Sequence, residues 1–299
     1  MAKIIGIMGE SGSGKNTSMR NLDPTTTYYI DCDKKGLSWR GWKKQYNAEA
    51  KNYFATDQQN LVLAVMQGIN KERPNIKTIV IDTLGELVNF MLKYFADKDK
   101  SLITRGGTLN IKVWGLVKTE FESLKLKLHL LNKHLIFVSH VKEDKDGENK
   151  VYRMDVAGST SETVTKILDF LGFCEVLGKT RSISFTPSAR FYAKNSIELN
   201  DYLEIPQLKT GDKNDFLTKE VIEPTIAKRK QESEALKINE EKLQQGRYLI
   251  EQATEPNAVL TAFKEMDLSI YNKKVLFNEL SEKFSGYKFD NKKGEFICQ

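Results

Sequence analysis

The chain has 299 residues, 40% of them hydrophobic and 29% charged, and its formal net charge is +6 at pH 7. This composition fits one large α/β domain with a smaller appendage, and no stretch approaches the roughly 20 apolar residues that cross a bilayer. Because the N-terminus has no secretion-signal pattern and the three cysteines form no C-x-x-C pair, we expect no disulfide framework, zinc site or membrane partner, and a cytoplasmic location.

Short apolar runs alternate with helix-period segments over residues 1–210. Several runs are apolar throughout, as in parallel strands covered on both faces, and they predict strands at Lys3–Met8, Thr27–Asp31, Thr78–Asp82, His134–Ser139, Phe173–Leu177 and Arg181–Thr186. The segments between them predict helices at Lys15–Asn21, Gln58–Lys71, Gly85–Phe95, Ile111–Leu131 and Glu162–Leu171. The alternation predicts the α/β class, with a mostly parallel sheet flanked by helices.

The first strand leads into a glycine-rich segment, Gly9–Thr17, with the sequence GESGSGKNT. It fits the pattern G-x-x-x-x-G-K between a strand and a helix, which is the context that a phosphate-binding loop (P-loop) requires. Backbone N–H groups and the following helix N-terminus favour phosphate there, and Lys15 reaches the β- and γ-phosphates. We therefore expect ATP to be bound by Gly9, Glu10, Ser11, Gly12, Ser13, Gly14, Lys15, Asn16, Thr17 and Asp82.

The Mg²⁺ ligands depart from the usual pattern at one position. The residue after the P-loop lysine is normally Ser or Thr, but here it is Asn16, with Thr17 next. A one-residue shift turns a helical side chain by about 100°, so Thr17 is no simple substitute, and the Asn16 carbonyl becomes the candidate ligand together with Asp82, which ends the strand TIVID. This arrangement predicts nucleotide binding with slow hydrolysis.

Two further strand ends carry candidates for catalysis. Asp31 and Asp33, in YYIDCDKKG, lie two residues apart and face the same way in an extended chain. We prefer Asp33 as the group that orients the attacking water, although both residues also suit a turn before Gly36. His140, in LIFVSHVKE, follows the fourth strand, where it can contact the γ-phosphate or have a structural role.

Two long connections interrupt the alternation of predicted strands and helices. They are Ala96–Asn110 and Val141–Thr160, both charged and glycine-containing, and loops of this kind often carry function in α/β proteins. After Pro206 the chain becomes strongly charged and helical, with a long helix over Lys213–Arg247 and two shorter helices over Asn257–Phe284. We therefore divide the chain into a core, residues 1–210, and a C-terminal helical domain or oligomerisation arm, residues 211–299.

The motifs GESGSGK, YYIDCDKKG, TIVIDT, LIFVSHVKE and RFYAKNS, in this order, resemble the RecA/RadA-type P-loop ATPase core. Over residues 1–210 the arrangement is most similar to phage-encoded RecA-like ATPases of single-strand annealing and recombination. The resemblance implies a ring or filament with ATP at subunit interfaces. It makes His140 a sensor and Lys194 a contact to a neighbouring subunit's phosphates, and Lys15 and Asp33 complete the implied catalytic set.

The resemblance also implies that the two connections bind single-stranded DNA. Their cations suit phosphate contacts, and they are Lys98, Lys100, Arg105, Lys142, Lys145, Lys150 and Arg153. Tyr152 is a candidate for stacking on a base. Acidic residues are interleaved with these cations, so solvated loops remain an alternative. A second patch, Lys34–Tyr53, combines lysines with Trp39 and Trp42, which fits either nucleic-acid binding or packing.

The sequence thus predicts an ATPase, with Mg²⁺ and ATP as cofactors, that acts on single-stranded DNA in phage recombination, annealing or replication. A single-strand-binding protein is a candidate partner. Two rival functions stay open: a nucleotide-dependent assembly switch with little hydrolysis, which Asn16 favours, and a small-molecule P-loop kinase. The kinase needs an arginine-rich lid, whereas the arginines of this chain are scattered.

Overall fold

The computed structural model describes residues 3–20, 22–33, 44–47, 49–55, 68–146, 149–157, 160–197, 199–209 and 212–298. The chain forms two compact units, Met1–Thr225 and Ile226–Gln299. Among the described residues, none of the helices has the length and apolar character needed to cross a membrane.

Eight strands of the described residues form the central sheet of the first unit, in the order β10-β9-β8-β1-β5-β4-β2-β3. Their bounds are β1 Ile4–Gly9, β2 Thr27–Asp31, β3 Tyr53–Ala55, β4 Thr78–Asp82, β5 His134–Ser139, β8 Phe170–Leu177, β9 Thr180–Ser184 and β10 Leu203–Glu204. The strands from β8 to β3 pair in parallel, and β9 and β10 extend the sheet antiparallel beyond β8. The predicted mostly parallel sheet is confirmed.

Helices cover both faces of this sheet, because its strands are apolar on both sides. The helices of the first unit are α1 Lys15–Ser18, α2 Leu84–Lys98, α3 Ile111–Leu131 and α4 Thr160–Ile167. One face packs against buried residues of α2, α3 and α4. The other face packs against Met19, Leu22 and the segment from Phe216 to Ile222, which includes a π-helix at Thr218–Ile222.

The position of this last segment explains where the compact units divide. Leu217 and Val221 are fully buried in the same cluster as Ile5 and Ile7 of β1. The chain after residue 210, which the sequence analysis assigned to the C-terminal region, therefore packs as part of the first unit as far as Thr225.

The connection Val141–Thr160, which we expected to be a loop, contains a β-hairpin. Strands β6 Val141–Asp146 and β7 Asn149–Met154 pair antiparallel, with Val141 opposite Met154. Met154 is buried, and Tyr152 packs against the same apolar cluster. These two residues lie two apart and therefore share the inner face of the strand, which accounts for a strand in which many residues are polar. Because β6 has the mostly charged sequence VKEDKD, no alternation of apolar and polar residues indicated a strand there.

The predicted helix Glu162–Leu171 was wrong at its end. Helix α4 ends at Ile167, and Phe170 and Leu171 already belong to β8, where they pair with Ile5 and Gly6 of β1. Pairing with the central strand outweighs the helical period of these apolar residues. Most of the predicted helix Gln58–Lys71 lies outside the described residues, and residues 68–72 are helical.

The second unit has its own apolar core. It contains most of α5 Glu223–Gln252, together with α6 Pro256–Glu265, α7 Ile270–Lys283 and the hairpin β11 Tyr287–Asp290 with β12 Glu295–Cys298. Leu243, Phe263, Leu276 and Phe296 are among its buried residues. The expected long charged helix begins ten residues later than predicted, with Pro224 in its first turn, where proline is tolerated.

Candidate functional site

A cavity of about 300 Å³ opens at the carboxyl ends of the parallel strands. Ligands of open α/β sheets bind at this edge. The lining residues come from the P-loop and α1, from the ends of β2, β4 and β5, and from the start of β9: Ser11, Gly12, Gly14, Lys15, Asn16, Thr17, Asp31, Asp33, Asp82, Thr83, His140 and Arg181. The fold therefore brings Lys15, Asn16, Asp33, Asp82 and His140, which we identified separately along the sequence, into one cavity.

The P-loop has the backbone shape of an anion cradle. Gly14 precedes α1 with φ of +117°, a conformation that side-chain-bearing residues rarely adopt. The Lys15 ammonium, only 8% exposed, donates to the carbonyl oxygens of Gly9 and Glu10 at 2.7 Å each. The Ser13 hydroxyl is buried and has no hydrogen-bond partner among the described residues. An ammonium folded onto its own loop and an unpaired buried hydroxyl fit a phosphate chain, which accepts hydrogen bonds from both.

Asp82 is held at the cavity wall by a residue that the sequence analysis did not identify. The Tyr29 hydroxyl donates to Asp82 Oδ2. Burial, and then the negative charge of Asp82, raise the pKa of Tyr29, so this hydroxyl stays protonated and remains a donor. The Asp82–Thr83 peptide bond is cis. A fixed carboxylate beside the P-loop is the type of oxygen ligand that Mg²⁺ prefers.

The two aspartates at the end of β2 differ in environment. Asp31 is 1% exposed and accepts a hydrogen bond from the Tyr53 hydroxyl at 2.9 Å. Asp33 is partly exposed, and its Oδ1 accepts from Thr83 Oγ1 at 3.1 Å. Both line the cavity. Asp33 is the carboxylate with access to water, which is what a group that orients a water molecule needs.

His140 lies directly after β5, exposed at the cavity. Its carbonyl oxygen accepts from the Asp155 amide at 2.8 Å, and this bond closes the base of the β6–β7 hairpin. The backbone of Asp155 also packs closely on Gly85 at the start of α2. A Cβ added to Gly85 would lie only 2.8 Å from the Asp155 carbonyl oxygen. One junction therefore joins the cavity, the hairpin and the helix that follows Asp82.

Asn16 and Thr17 both line the cavity, and Asn16 is the more exposed of the two. At the end of α1, the main-chain carbonyl oxygen of Asn16 accepts from the Met19 amide at 3.3 Å, and that of Thr17 accepts from the Arg20 amide at 3.1 Å. Their side chains face the cavity together with Asp82, so the Asn16 side chain has access to a cation held there.

Lys194 does not line the cavity that contains the P-loop. It is bridged to Leu171, near the amino end of β8, whereas the P-loop follows the carboxyl end of β1. Its ammonium donates to the carbonyl oxygens of Thr165, Lys166 and Leu168. These groups lie at the C-terminal end of α4, where a cation is favourable, so Lys194 stabilises a helix end within its own subunit.

Most cations assigned to DNA have partners within the chain. Lys100 pairs with Asp97 at 2.9 Å, Lys150 with Glu143 at 2.8 Å and Arg153 with Asp144 at 3.2 Å. The other contacts are Lys142 Nζ to the Val156 carbonyl oxygen at 2.9 Å and Lys98 Nζ over the Tyr94 ring at 4.8 Å. Arg105 and Lys145 are exposed.

The aromatic residues considered for base stacking are Tyr152, Trp39 and Trp42. Tyr152 is partly buried and stacks on Phe173, with ring centroids 5.8 Å apart, so its ring already has an aromatic partner within the chain. The apolar side of β7 needs a covering partner, and Phe173 of β8 supplies it. Trp39 and Trp42 lie outside the described residues.

Four cavity or supporting residues were missed by the sequence analysis: Tyr29, Tyr53, Thr83 and Arg181. Tyr29 and Tyr53 lie in or beside apolar strands and look like core residues until strand pairing brings their hydroxyls to carboxylates. Thr83 directly follows Asp82, which is a signal that could have been used. Arg181 is 164 residues beyond Thr17 in the chain, and only the β8–β9 hairpin brings it to the P-loop.

A comparison with protein-family models identifies the same part of the chain. Residues 1–197 match a protein-family model described as "AAA domain". Among the solved structures, the fold is similar to a KaiC-like protein from the hyperthermophilic archaeon Pyrococcus horikoshii OT3, at 12% identity and a TM-score of 0.39, covering 61% of this chain and 77% of that one. No curated protein sequence matches the chain.

Proposed function

The chain belongs to the AAA-domain family through residues 1–197, and from this premise we propose that it is a RecA-like ATPase that binds Mg·ATP and acts on single-stranded DNA in phage recombination, annealing or replication. The observation that carries the proposal is the single cavity that contains the P-loop Lys15, the fixed carboxylate Asp82, Asp33 and His140. Phosphoryl transfer to water requires such a combination of cation, metal ligand and water-orienting group.

Nucleotide binding is the first part of the proposal. The backbone N–H groups of Gly9–Thr17 and the Lys15 ammonium bind the β- and γ-phosphates, so the ammonium exchanges its bonds to Gly9 and Glu10 for phosphate oxygens. Asp82 and the side-chain carbonyl oxygen of Asn16 would hold Mg²⁺. A bound Mg²⁺ neutralises charge that develops on the transferred phosphoryl group.

Hydrolysis is the second part. Asp33 orients the attacking water, and Thr83 keeps its carboxylate directed into the cavity through the 3.1 Å hydrogen bond. His140 contacts the γ-phosphate side. Because Asn16 replaces the usual hydroxyl ligand, we expect turnover to be slow, and a nucleotide-dependent assembly switch with little hydrolysis is the second candidate function.

DNA binding and assembly form the third part. Arg105 and Lys145 are exposed cations of the two connections that form no ion pair among the described residues, and they are the proposed phosphate contacts. The hydrogen bond between the Asp155 amide and the His140 carbonyl oxygen supports coupling, because movement of His140 toward a γ-phosphate would move the hairpin base. A ring or filament with ATP at subunit interfaces is part of the same proposal, and Lys194 would need to leave its three carbonyl partners to reach a neighbouring subunit.

The test is steady-state ATP turnover with and without single-stranded DNA, together with DNA affinity in ATP, in ADP and without nucleotide. We expect slow turnover that DNA stimulates and the tightest DNA binding with ATP. Nucleotide binding without turnover favours the assembly switch. Equal DNA affinity in all three states would contradict the coupling.

A matched pair of variants tests the DNA contacts. Lys145→Ala should weaken DNA binding and reduce its salt dependence, since each phosphate contact releases about one counterion. Lys77→Ala is the control, because Lys77 is also exposed but precedes β4, at the opposite edge of the sheet. Equal effects of the two substitutions would argue against the β6–β7 hairpin as the DNA contact.

A further inference from the structure

Arg181 enters the nucleotide cavity from the side opposite to Asp82. It lies at the start of β9, where it pairs with Val176 of β8, and its carbonyl oxygen accepts the Ile205 amide at 2.8 Å. Because β9 runs antiparallel to β8, its first residues lie at the carboxyl edge of the parallel strands, beside the P-loop. The backbone of Arg181 is thus fixed by sheet pairing on one side and by Ile205 on the other.

The stem of Arg181 packs directly on the P-loop. A Cβ added to Gly14 would lie 3.1 Å from Arg181 Cδ and 3.3 Å from Arg181 Cβ. The guanidinium lines the cavity, and Nε donates to the Gly12 carbonyl oxygen at 3.4 Å. The side chain is therefore held against the loop along its whole length, with its charged end at the cavity.

The guanidinium of Arg181 has no carboxylate partner among the described residues. Arg190, which follows β9, forms an ion pair with Glu175 at 3.4 Å, and Arg153 forms one with Asp144 at 3.2 Å. A single long hydrogen bond to a neutral carbonyl uses little of the capacity of a guanidinium, which has five donors and binds phosphate in a bidentate manner. Arg181 is therefore poised for an anion in the cavity.

The sheet order determines which end of the nucleotide this anion is. Strands β5 and β4, which end beside His140 and at Asp82, lie on one side of β1, and β8 and β9 lie on the other. Asp82 would hold the Mg²⁺ that accompanies the terminal phosphates, which would direct the γ-phosphate toward Asp82 and the nucleoside end toward β8 and β9. Arg181 lies on that second side.

We propose that Arg181 binds the α-phosphate of the nucleotide held by its own subunit, and that it exchanges the bond to the Gly12 carbonyl oxygen for this contact. The inference rests on the proposed function, since it requires a nucleotide on the P-loop. It makes Arg181 a second cationic contact, after Lys15, and gives the β8–β9 hairpin a direct role in nucleotide affinity.

The test compares Arg181→Gln and Arg181→Lys with the wild-type protein. It measures the equilibrium binding of ATP and of ADP, and the competition of inorganic tripolyphosphate with ATP. We expect Arg181→Gln to weaken ATP and ADP binding equally, by about 10- to 100-fold, which is the scale of one charge-assisted hydrogen bond. Tripolyphosphate should lose affinity as well. Arg181→Lys keeps the charge and should recover part of the loss, and Arg190→Gln, the matched control, should bind ATP as the wild type does.

Three results would overturn the inference while wild-type ATP binding persists. The first is unchanged nucleotide affinity in Arg181→Gln. The second is a loss of affinity for ATP alone, which would indicate a γ-phosphate contact. The third is a loss of affinity for ATP and ADP but not for tripolyphosphate, which would indicate a contact with the nucleoside. Failure of the wild-type protein to bind ATP would instead refute the proposed function. Thermal melting of each variant verifies that the fold is intact.

Discussion

Substitution of Gly14 by alanine tests the shape of the P-loop. An alanine there must adopt φ of +117°, and positive φ costs a side-chain-bearing residue about 1–2 kcal/mol. Its Cβ would also lie 3.1 Å from both Arg181 Cδ and Ile205 Cδ1, and overpacking of this kind costs about 1–3 kcal/mol. The expected destabilisation is therefore about 2–5 kcal/mol.

Gly107→Ala separates the two contributions. Gly107 also has a positive φ, of +80°, but a Cβ there would meet nothing within 4 Å among the described atoms. It should cost only the conformational term, about 1–2 kcal/mol. Urea denaturation of both variants measures the difference, which we expect to be about 1–3 kcal/mol.

Nucleotide binding provides the second assay for the same pair. Gly14→Ala moves the P-loop and the stem of Arg181 together, so ATP affinity should fall by more than about tenfold, since one displaced charged hydrogen bond accounts for that much. Gly107→Ala should leave ATP affinity unchanged. If Gly14→Ala has wild-type stability and wild-type ATP affinity, the close packing at this loop is refuted.

Three further predictions follow from the cavity and its surroundings. Asn16→Thr should raise ATP turnover by about tenfold or more, the scale of a change around a bound metal, in a phosphate-release assay; unchanged turnover would remove Asn16 as the cause of slow hydrolysis. Tyr29→Phe removes the hydrogen bond to the Asp82 carboxylate and should lower the affinity of the ATP complex for Mg²⁺ by about 10- to 100-fold. A magnesium titration measures this affinity, and Tyr202→Phe, at an exposed residue, is the control. Burial, then the positive charges of the N-terminus and of Lys3, lower the pKa of His134 below its usual 6.5, so the unfolded chain binds the proton more readily. The free energy of unfolding should be fully retained above pH 6.5 and decrease as the pH falls below it, and His134→Gln should flatten this dependence in urea denaturation between pH 5 and 8; a variant with the wild-type pH dependence would contradict the assignment.

Much of the central sheet could be predicted because its strands carry a local signal. Thr27–Asp31, Thr78–Asp82 and His134–Ser139 are strands with the bounds expected from their apolar runs. The polar residues that follow parallel strands must meet at one edge, and the cavity contains Asp33, Asp82 and His140 for this reason.

The hairpin after His140 could not be predicted from local pattern. Its residues are mostly charged, and packing of Tyr152 and Met154 against distant parts of the unit gives the segment an inner face. The sequence shows neither that face nor the ion pairs that occupy Lys150 and Arg153.

Arg181 and Lys194 show the same limit at single residues. An antiparallel turn carries Arg181 to the P-loop, and a bridge to Leu171 carries Lys194 to the end of α4. Both placements depend on pairing between distant strands, which leaves no signature in residue spacing. A cation in the sequence therefore does not reveal whether its partner is a phosphate, a carboxylate or a helix end.

The central claim is that the loop from Gly9 to Thr17 binds a nucleoside triphosphate through Lys15. Equilibrium ATP binding by Lys15→Ala, compared with the wild type and with Lys77→Ala, tests it most directly. We expect the affinity of Lys15→Ala to fall by about 100-fold or more, as for loss of a strong charge-assisted contact, with a melting temperature close to that of the wild type and with Lys77→Ala unaffected. Wild-type ATP affinity in a folded Lys15→Ala protein would contradict the account.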